Sequence, residues 1–327
     1  MHTALMNPTR TMLRSLLGPL LALLCAAAFA QASTDCPPAA RAPSEQQLRA
    51  GMRDARDHGF LWRIVKDKRS SYVFGTVHVA RFEWMFPGPA LTRALNASDT
   101  IALELDLLDP EVQQRMLQGM AAAADTPPLP EALAQRLQGR AQVECLTPQA
   151  LAGFIPEMQV ATLMSLVGRR DGLDPSYGID VFLSGWGHAA NKSVVSLETA
   201  ELQLQMLRAG SAAETIEFVE SALDELEGGR ARPTLKRVTQ AWADADLGTL
   251  TRYEDWCECM KTGADRAAMA RLLDARNPAL ADGIAVLHAS GRRVFAAVGS
   301  LHMIGPAGLP ALLAQRGFRV ERIAFAR

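Results

Sequence analysis

Two copies of a Gly-x-x-His pattern stand near opposite ends of the chain, Gly75-Thr76-Val77-His78 and Gly299-Ser300-Leu301-His302. Each follows an apolar, β-rich run, Tyr72-Val73-Phe74 in the first case and Val294-Phe295-Ala296-Ala297-Val298 in the second. A third such run, Thr100-Ile101-Ala102-Leu103-Glu104-Leu105-Asp106, ends in two carboxylates. Neutral imidazoles with a carboxylate oxygen suit Zn²⁺, Mn²⁺, Co²⁺ or Fe²⁺. A metal held by two histidines and one carboxylate keeps positions open for water and substrate. A lone Gly-x-x-His is more often a loop or capping residue; two at equivalent strand ends, beside an acidic strand end, point to a site. His-Glu-x-x-His and Gly-x-Ser-x-Gly are both absent, against a helical zinc protease and an ordinary α/β-hydrolase.

The elements that must position these residues follow from pattern. Phe60 to Val65 and Ser71 to Gly75, around a charged turn, read as a hairpin. The strand ending at Asp106 puts Glu104 and Asp106 on one face, because side chains repeat every two residues. From about 130 to 292 most of the chain reads as helix, interrupted by the β-rich Ser193 to Leu197 with Glu198 at its end. A strand over 293–298, a helix over 309–316 and a strand over 318–323 close the chain. The expected fold is one α/β domain over 37–327. Its central mixed sheet is built from N- and C-terminal strands, and the middle helices cap its carboxyl edge. Ligands of such sheets bind outside the carboxyl ends of strands, where His78, His302, Glu104 and Asp106 are expected to meet.

Arg10 and Arg14, then an apolar stretch from Leu16 to Ala30 with small residues at its end, read as a Sec-type signal peptide over 1–32. This predicts a periplasmic or secreted protein, not an integral membrane protein after cleavage. Four cysteines would remain, Cys36, Cys145, Cys257 and Cys259, an even count suited to disulfides. A Cys257–Cys259 bridge would close a very small ring; Cys36 with Cys145, or either with the Cys257/Cys259 pair, are the other pairings. A formal charge of −1 gives no basic field that would call for nucleic acid.

Phe74-Gly75-Thr76-Val77-His78, Leu103-Glu104-Leu105-Asp106 and Val298-Gly299-Ser300-Leu301-His302-Met303-Ile304-Gly305 together resemble the TraB/GumN-like family. Tyr177-Gly178-Ile179-Asp180, Lys192, Leu197-Glu198-Thr199 and Arg276-Asn277 also fit, over about residues 60 to 325. One departure is Leu202-Gln203, where many relatives carry Glu-Gln. The family is similar to the TIKI metalloproteases, which use Mn²⁺ or Co²⁺, and more distantly to erythromycin-esterase-like and ChaN-like proteins. The resemblance implies a metal-dependent hydrolase, a peptidase by analogy, with His78, His302 and Glu104 holding the metal. Asp106 or Glu198 would be a supporting group or general base, and Arg276 would orient a substrate carboxylate or stabilise an oxyanion. The substrate would be a peptide or small envelope molecule. Two rivals stand beside this reading: a periplasmic module that captures a ligand, haem or metal without turnover, and a metal-independent esterase with His78 or His302 as base.

Bland roles are expected elsewhere. His188 and His288 read as structural or exposed, and Asp180 as either an N-cap or a site residue. Trp62, Trp84 and Trp242 read as packing residues, and Thr76 and Ser300 as groups that orient their neighbours.

Overall fold

The computed structural model describes residues 36–260 and 263–326. The expected signal peptide lies outside the described residues. Six strands form one sheet: β1 (Phe60–Lys66), β2 (Arg69–Thr76), β3 (Thr100–Leu103), β4 (Ser193–Ser196), β5 (Val294–Gly299) and β6 (Arg319–Ile323). Their order is β4-β3-β5-β2-β1-β6. β4, β3, β5 and β2 run parallel, whereas β1 is antiparallel to both β2 and β6. The mixed α/β architecture, with first and last strands in one sheet, is the one the sequence predicts.

The hairpin of β1 and β2 turns at Asp67 and Lys68, both at positive φ, 50° and 61°, with Lys66 paired to Arg69. Two left-handed residues match the twist of the flanking strands, which makes two-residue turns of this kind common. β5 lies between β3 and β2, and its Val294 to Val298 are buried throughout. A parallel strand covered on both faces reads as a continuous apolar run rather than an alternating one, which accounts for Val-Phe-Ala-Ala-Val. β4 at the edge is half exposed.

Two sets of helices build the larger cores. Pro89–Ala97, Ile179–Ala189 and Asn277–Ala289 send Leu91, Leu95, Ile179, Leu183, Trp186, Leu280 and Ile284 into the core formed around the sheet. A second core lies among Glu131–Val143, Pro156–Leu166 and Ala212–Glu227, centred on Leu163, Val219 and Leu223, all fully buried. The stretch 130–292 is therefore not all cap: β4 and the helices Ile179–Ala189 and Asn277–Ala289 belong to the sheet layers, and the end of Ala231–Ala243 packs into the same core. Parallel neighbours need crossovers that lie on the sheet faces, and these helices supply them.

Trp242, in the helix Ala231–Ala243, joins the helical region to the sheet. Its buried indole N–H donates to Gly75 O at 2.6 Å, and its ring lies 6.3 Å from that of Phe74. Trp62 and Trp242 are buried in the core, and Trp84 packs against it. His288 is buried between β-strand neighbours, with Nδ1 2.8 Å from Ser71 Oγ and Nε2 3.0 Å from Lys66 O. Cys36 and Cys145 are bridged at an S–S distance of 2.07 Å, and Cys257 and Cys259 at 2.08 Å. Among the described residues no helix is long and apolar enough to cross a membrane.

Candidate functional site

The strand predicted to reach Asp106 stops at Leu103. Beyond it the backbone leaves the ladder with β5, and period-two alternation no longer governs where Glu104 and Asp106 point. Glu104 turns toward the end of β5, where Oε1 accepts the Gly299 N–H at 2.7 Å. Its Oε2 accepts from Arg276 Nη2 at 2.5 Å and from Gln203 Nε2 at 3.2 Å. Asp106 turns to the helix Ile179–Ala189 instead. Its carboxylate accepts from Ser184 Oγ at 2.5 Å and meets His188 Nε2 at 2.7 Å, while its own N–H donates to Ser196 Oγ at 2.9 Å. Thus His188, expected to be structural or exposed, is half exposed and tied to Asp106.

His78 follows β2 directly. Its Nδ1 lies 2.7 Å from Asp180 Oδ2, and Thr76 Oγ1 donates to the other Asp180 oxygen at 2.5 Å. Asp180 sits in the first turn of its helix, whose Ile179 N–H donates to Val77 O at 3.0 Å. Of the two roles open to Asp180, the structure shows it joined to the histidine. His302 lies in a short 3₁₀ turn after β5, 3% exposed. Its Nδ1 is 2.6 Å from Asn277 Oδ1, and Asn277 Nδ2 donates to Ala307 O at 2.9 Å. The amide orientation fixed by Ala307 makes Nδ1 the protonated nitrogen, so Nε2 carries the lone pair. That lone pair faces Arg276 Nη1 at 3.2 Å.

Arg276 is the hub. Its Nε donates to Glu198 Oε1 at 2.8 Å, its Nη2 contacts both Glu198 Oε2 and Glu104, and its Nη1 reaches His302. The guanidinium and both carboxylates are buried, with side chains 11%, 8% and 3% exposed for Arg276, Glu104 and Glu198. Gln203 Nε2 bridges the two carboxylates at 3.2 and 3.0 Å. The Leu202 departure is harmless here, because Gln203 supplies the contact and Leu202 faces outward, 39% exposed.

Gly299 provides the common floor. A Cβ at this position would stand 3.3 Å from Glu104 Oε1, 3.6 Å from His302 Cδ2 and 3.6 Å from His78 Nε2. The two motif histidines and Glu104 therefore converge over one glycine.

The electrostatics separate the two imidazoles. Burial pushes His302 down to about 4, so its ring is neutral. The Asp180 carboxylate raises His78 above the ordinary histidine value. Its side chain is 68% exposed, so water screens that pair. Burial works to raise Glu104, but the charges of His78 and Arg276, the Gly299 N–H and, below about pH 4 where it too is protonated, His302 prevail and hold it at about 2. Asp180, Glu104 and Glu198 contribute three carboxylates against the guanidinium of Arg276 and the charge that Asp180 favours on His78, leaving a net negative surround.

These residues fit a divalent cation in donor chemistry. Each histidine has Nδ1 held by an oxygen acceptor, the arrangement that orients metal-binding imidazoles, and the surround favours positive charge. The spacing is set instead by Arg276, whose Nη1 stands at the His302 lone pair. Among the described residues no group of three His, Cys, Asp or Glu side chains lies at metal-binding distances.

Asp180, Asn277 and Gln203 complete the site, and their roles were not readable from type or spacing alone. Two signals were available: the stretches Tyr177-Gly178-Ile179-Asp180 and Arg276-Asn277 fit the family resemblance, and Asp180 stands at a helix start. Comparison with protein families gives a match over residues 60–322 to the TraB/PrgY/gumN family. No curated protein and no solved structure matches the chain.

Proposed function

We propose that this chain, which belongs to the TraB/PrgY/gumN family, is an exported metal-dependent hydrolase, a peptidase by preference, acting in the periplasm or outside the cell. The observation that carries the reading is the pair of Nδ1-anchored histidines meeting Glu104 over Gly299 inside a net negative surround. His78, His302 and Glu104 would hold the cation, with Mn²⁺ or Co²⁺ suggested by resemblance and Zn²⁺ compatible with the donor types. When bound, it would polarise a carbonyl and lower the pKa of a water. Asp180 and Asn277 fix the rings. Glu198, paired with Arg276 through two guanidinium nitrogens, would anchor that side chain beside His302. The Arg276 guanidinium would donate to a substrate carboxylate or a developing oxyanion. Asp106, engaged by Ser184 and His188, supports a positioning role at the start of the loop that carries Glu104.

A second reading has one observation in its favour: Arg276 Nη1 engages the His302 lone pair that a cation would need. His78, exposed and coupled to Asp180, would then act as a general base without metal, and Arg276 would serve as the oxyanion donor. The deciding experiment measures metal content by inductively coupled plasma mass spectrometry, with hydrolysis of a peptide library, for wild type, His78→Ala and His302→Ala after Mn²⁺ and Co²⁺ loading. Near-stoichiometric metal lost in both variants, with chelator-sensitive hydrolysis, supports the metal-dependent reading. Hydrolysis that survives chelation selects the second reading, and stoichiometric metal without turnover a binding protein.

A further inference from the structure

A cavity of about 980 Å³ lies between the loop that follows His78 and the helical region, and neither histidine, Glu104, Glu198 nor Arg276 lines it. Its charged wall is dominated by cations: Arg81, Arg140, Arg170, Arg232, Lys236 and Arg237. The carboxylates on the same wall have partners of their own. Glu144 accepts from Arg169 at 2.9 Å, Asp244 from the Gln240 amide at 3.0 Å, and Asp246 from the Thr249 N–H at 3.0 Å. Asp171, which does not line the cavity, answers Arg232 at 2.6 Å and Lys236 at 2.9 Å. Six lining cations against three lining carboxylates and Asp171 leave an excess of positive charge, although the whole chain is formally −1.

Two of the cations, Arg81 and Arg140, have no carboxylate within hydrogen-bond distance among the described residues. The Arg140–Glu144 pair spans 3.8 Å, too long for a hydrogen bond, and the Arg81 guanidinium lies 5.3 Å from the Trp84 ring centroid. Trp84, Leu173 and Pro233 add an apolar side to the same space.

We propose that this cavity binds an organic phosphate with a ring or short apolar body. The phosphate oxygens would accept from Arg81 and Arg140, since guanidinium forks match phosphate geometry. The body would lie against Trp84 and Leu173. This site is separate from the one over Gly299 and does not depend on the hydrolase reading.

The test is isothermal titration calorimetry of the full chain with 1-naphthyl phosphate, beside 1-naphthol and inorganic phosphate, at low and high salt. The proposal expects saturable binding of one molecule per chain, tighter than for either control and weakened by salt. Arg81→Gln and Arg140→Gln should each lower affinity by about tenfold or more, the loss of one charge-assisted contact, while His78→Ala binds like wild type. Circular dichroism confirms folding; if Arg140→Gln fails to fold, Arg81→Gln decides. Absence of saturation, equal binding of naphthol or of bare phosphate, or wild-type affinity in Arg81→Gln would each overturn it.

Discussion

Replacing Arg276 with methionine removes one charge and leaves two. In the native protein the guanidinium lies 2.5 Å from Glu104 and 2.8 Å from Glu198, with both carboxylates at most 8% exposed. Methionine fills similar volume but cannot compensate either carboxylate, and only Gln203 Nε2 would remain between them. Breaking a buried pair from one side costs about 3–5 kcal/mol. At about 2–4 °C per kcal/mol, that corresponds to a fall in melting temperature of roughly 6–20 °C. The pH dependence fixes the mechanism. Wild-type Glu104 is held at about 2, below its unfolded value of 4.5, so the stability it contributes is present above 4.5 and lost as pH falls toward 2. Between pH 7 and 5 the wild type therefore loses nothing through this group. In the variant the carboxylates repel and lack the guanidinium that paired them, so their protonation becomes more favourable and the deficit narrows as pH falls from 7 to 5. Urea denaturation of both proteins at the two pH values measures this. A deficit below about 1 kcal/mol, the worth of a surface ion pair, or one equal at both pH values, would refute the buried-charge argument.

Asp180→Asn removes the carboxylate that raises His78, so the histidine should lose its proton at lower pH; NMR titration of the ring Cε1–H resonances reads this. The sign follows: stability from the raised His78 is complete below 6.5 and lost as pH rises through the folded value, and the variant should lack that slope. Asn277→Ala frees His302 Nδ1 and should reduce metal affinity or hydrolysis by about 10–100-fold, whereas a variant with native affinity and activity would show that ring orientation does not matter. Cys36→Ala opens a bridge with a sequence separation of 109 residues and should cost about 2–4 kcal/mol in urea denaturation. Leu163→Ala, in the helical core, should cost about 2–5 kcal/mol through lost burial and the cavity left behind; an unchanged denaturation midpoint would contradict that core's contribution.

The sequence by itself determined the sheet and the three side chains that meet over Gly299. Local pattern suffices where a strand is buried on both faces and ends in glycine: β2 and β5 pair in parallel with Gly75 opposite Val298 and Thr76 opposite Gly299, so the two motifs arrive at adjacent positions. The same reasoning failed at Glu104 and Asp106. Alternation holds only while the ladder continues, and β3 ends at Leu103, sending one carboxylate to Arg276 and the other to Ser184 and His188. Which stretch of the helical region joins the sheet was equally illegible, because a buried helix shows the same apolar character whether it covers a strand or another helix. Tertiary structure alone chose the partners of each ring. Asp180 stands 102 residues from His78, and Asn277 25 from His302. Hydrogen bonds over such separations depend on where crossover helices begin, a property of packing that no local periodicity encodes.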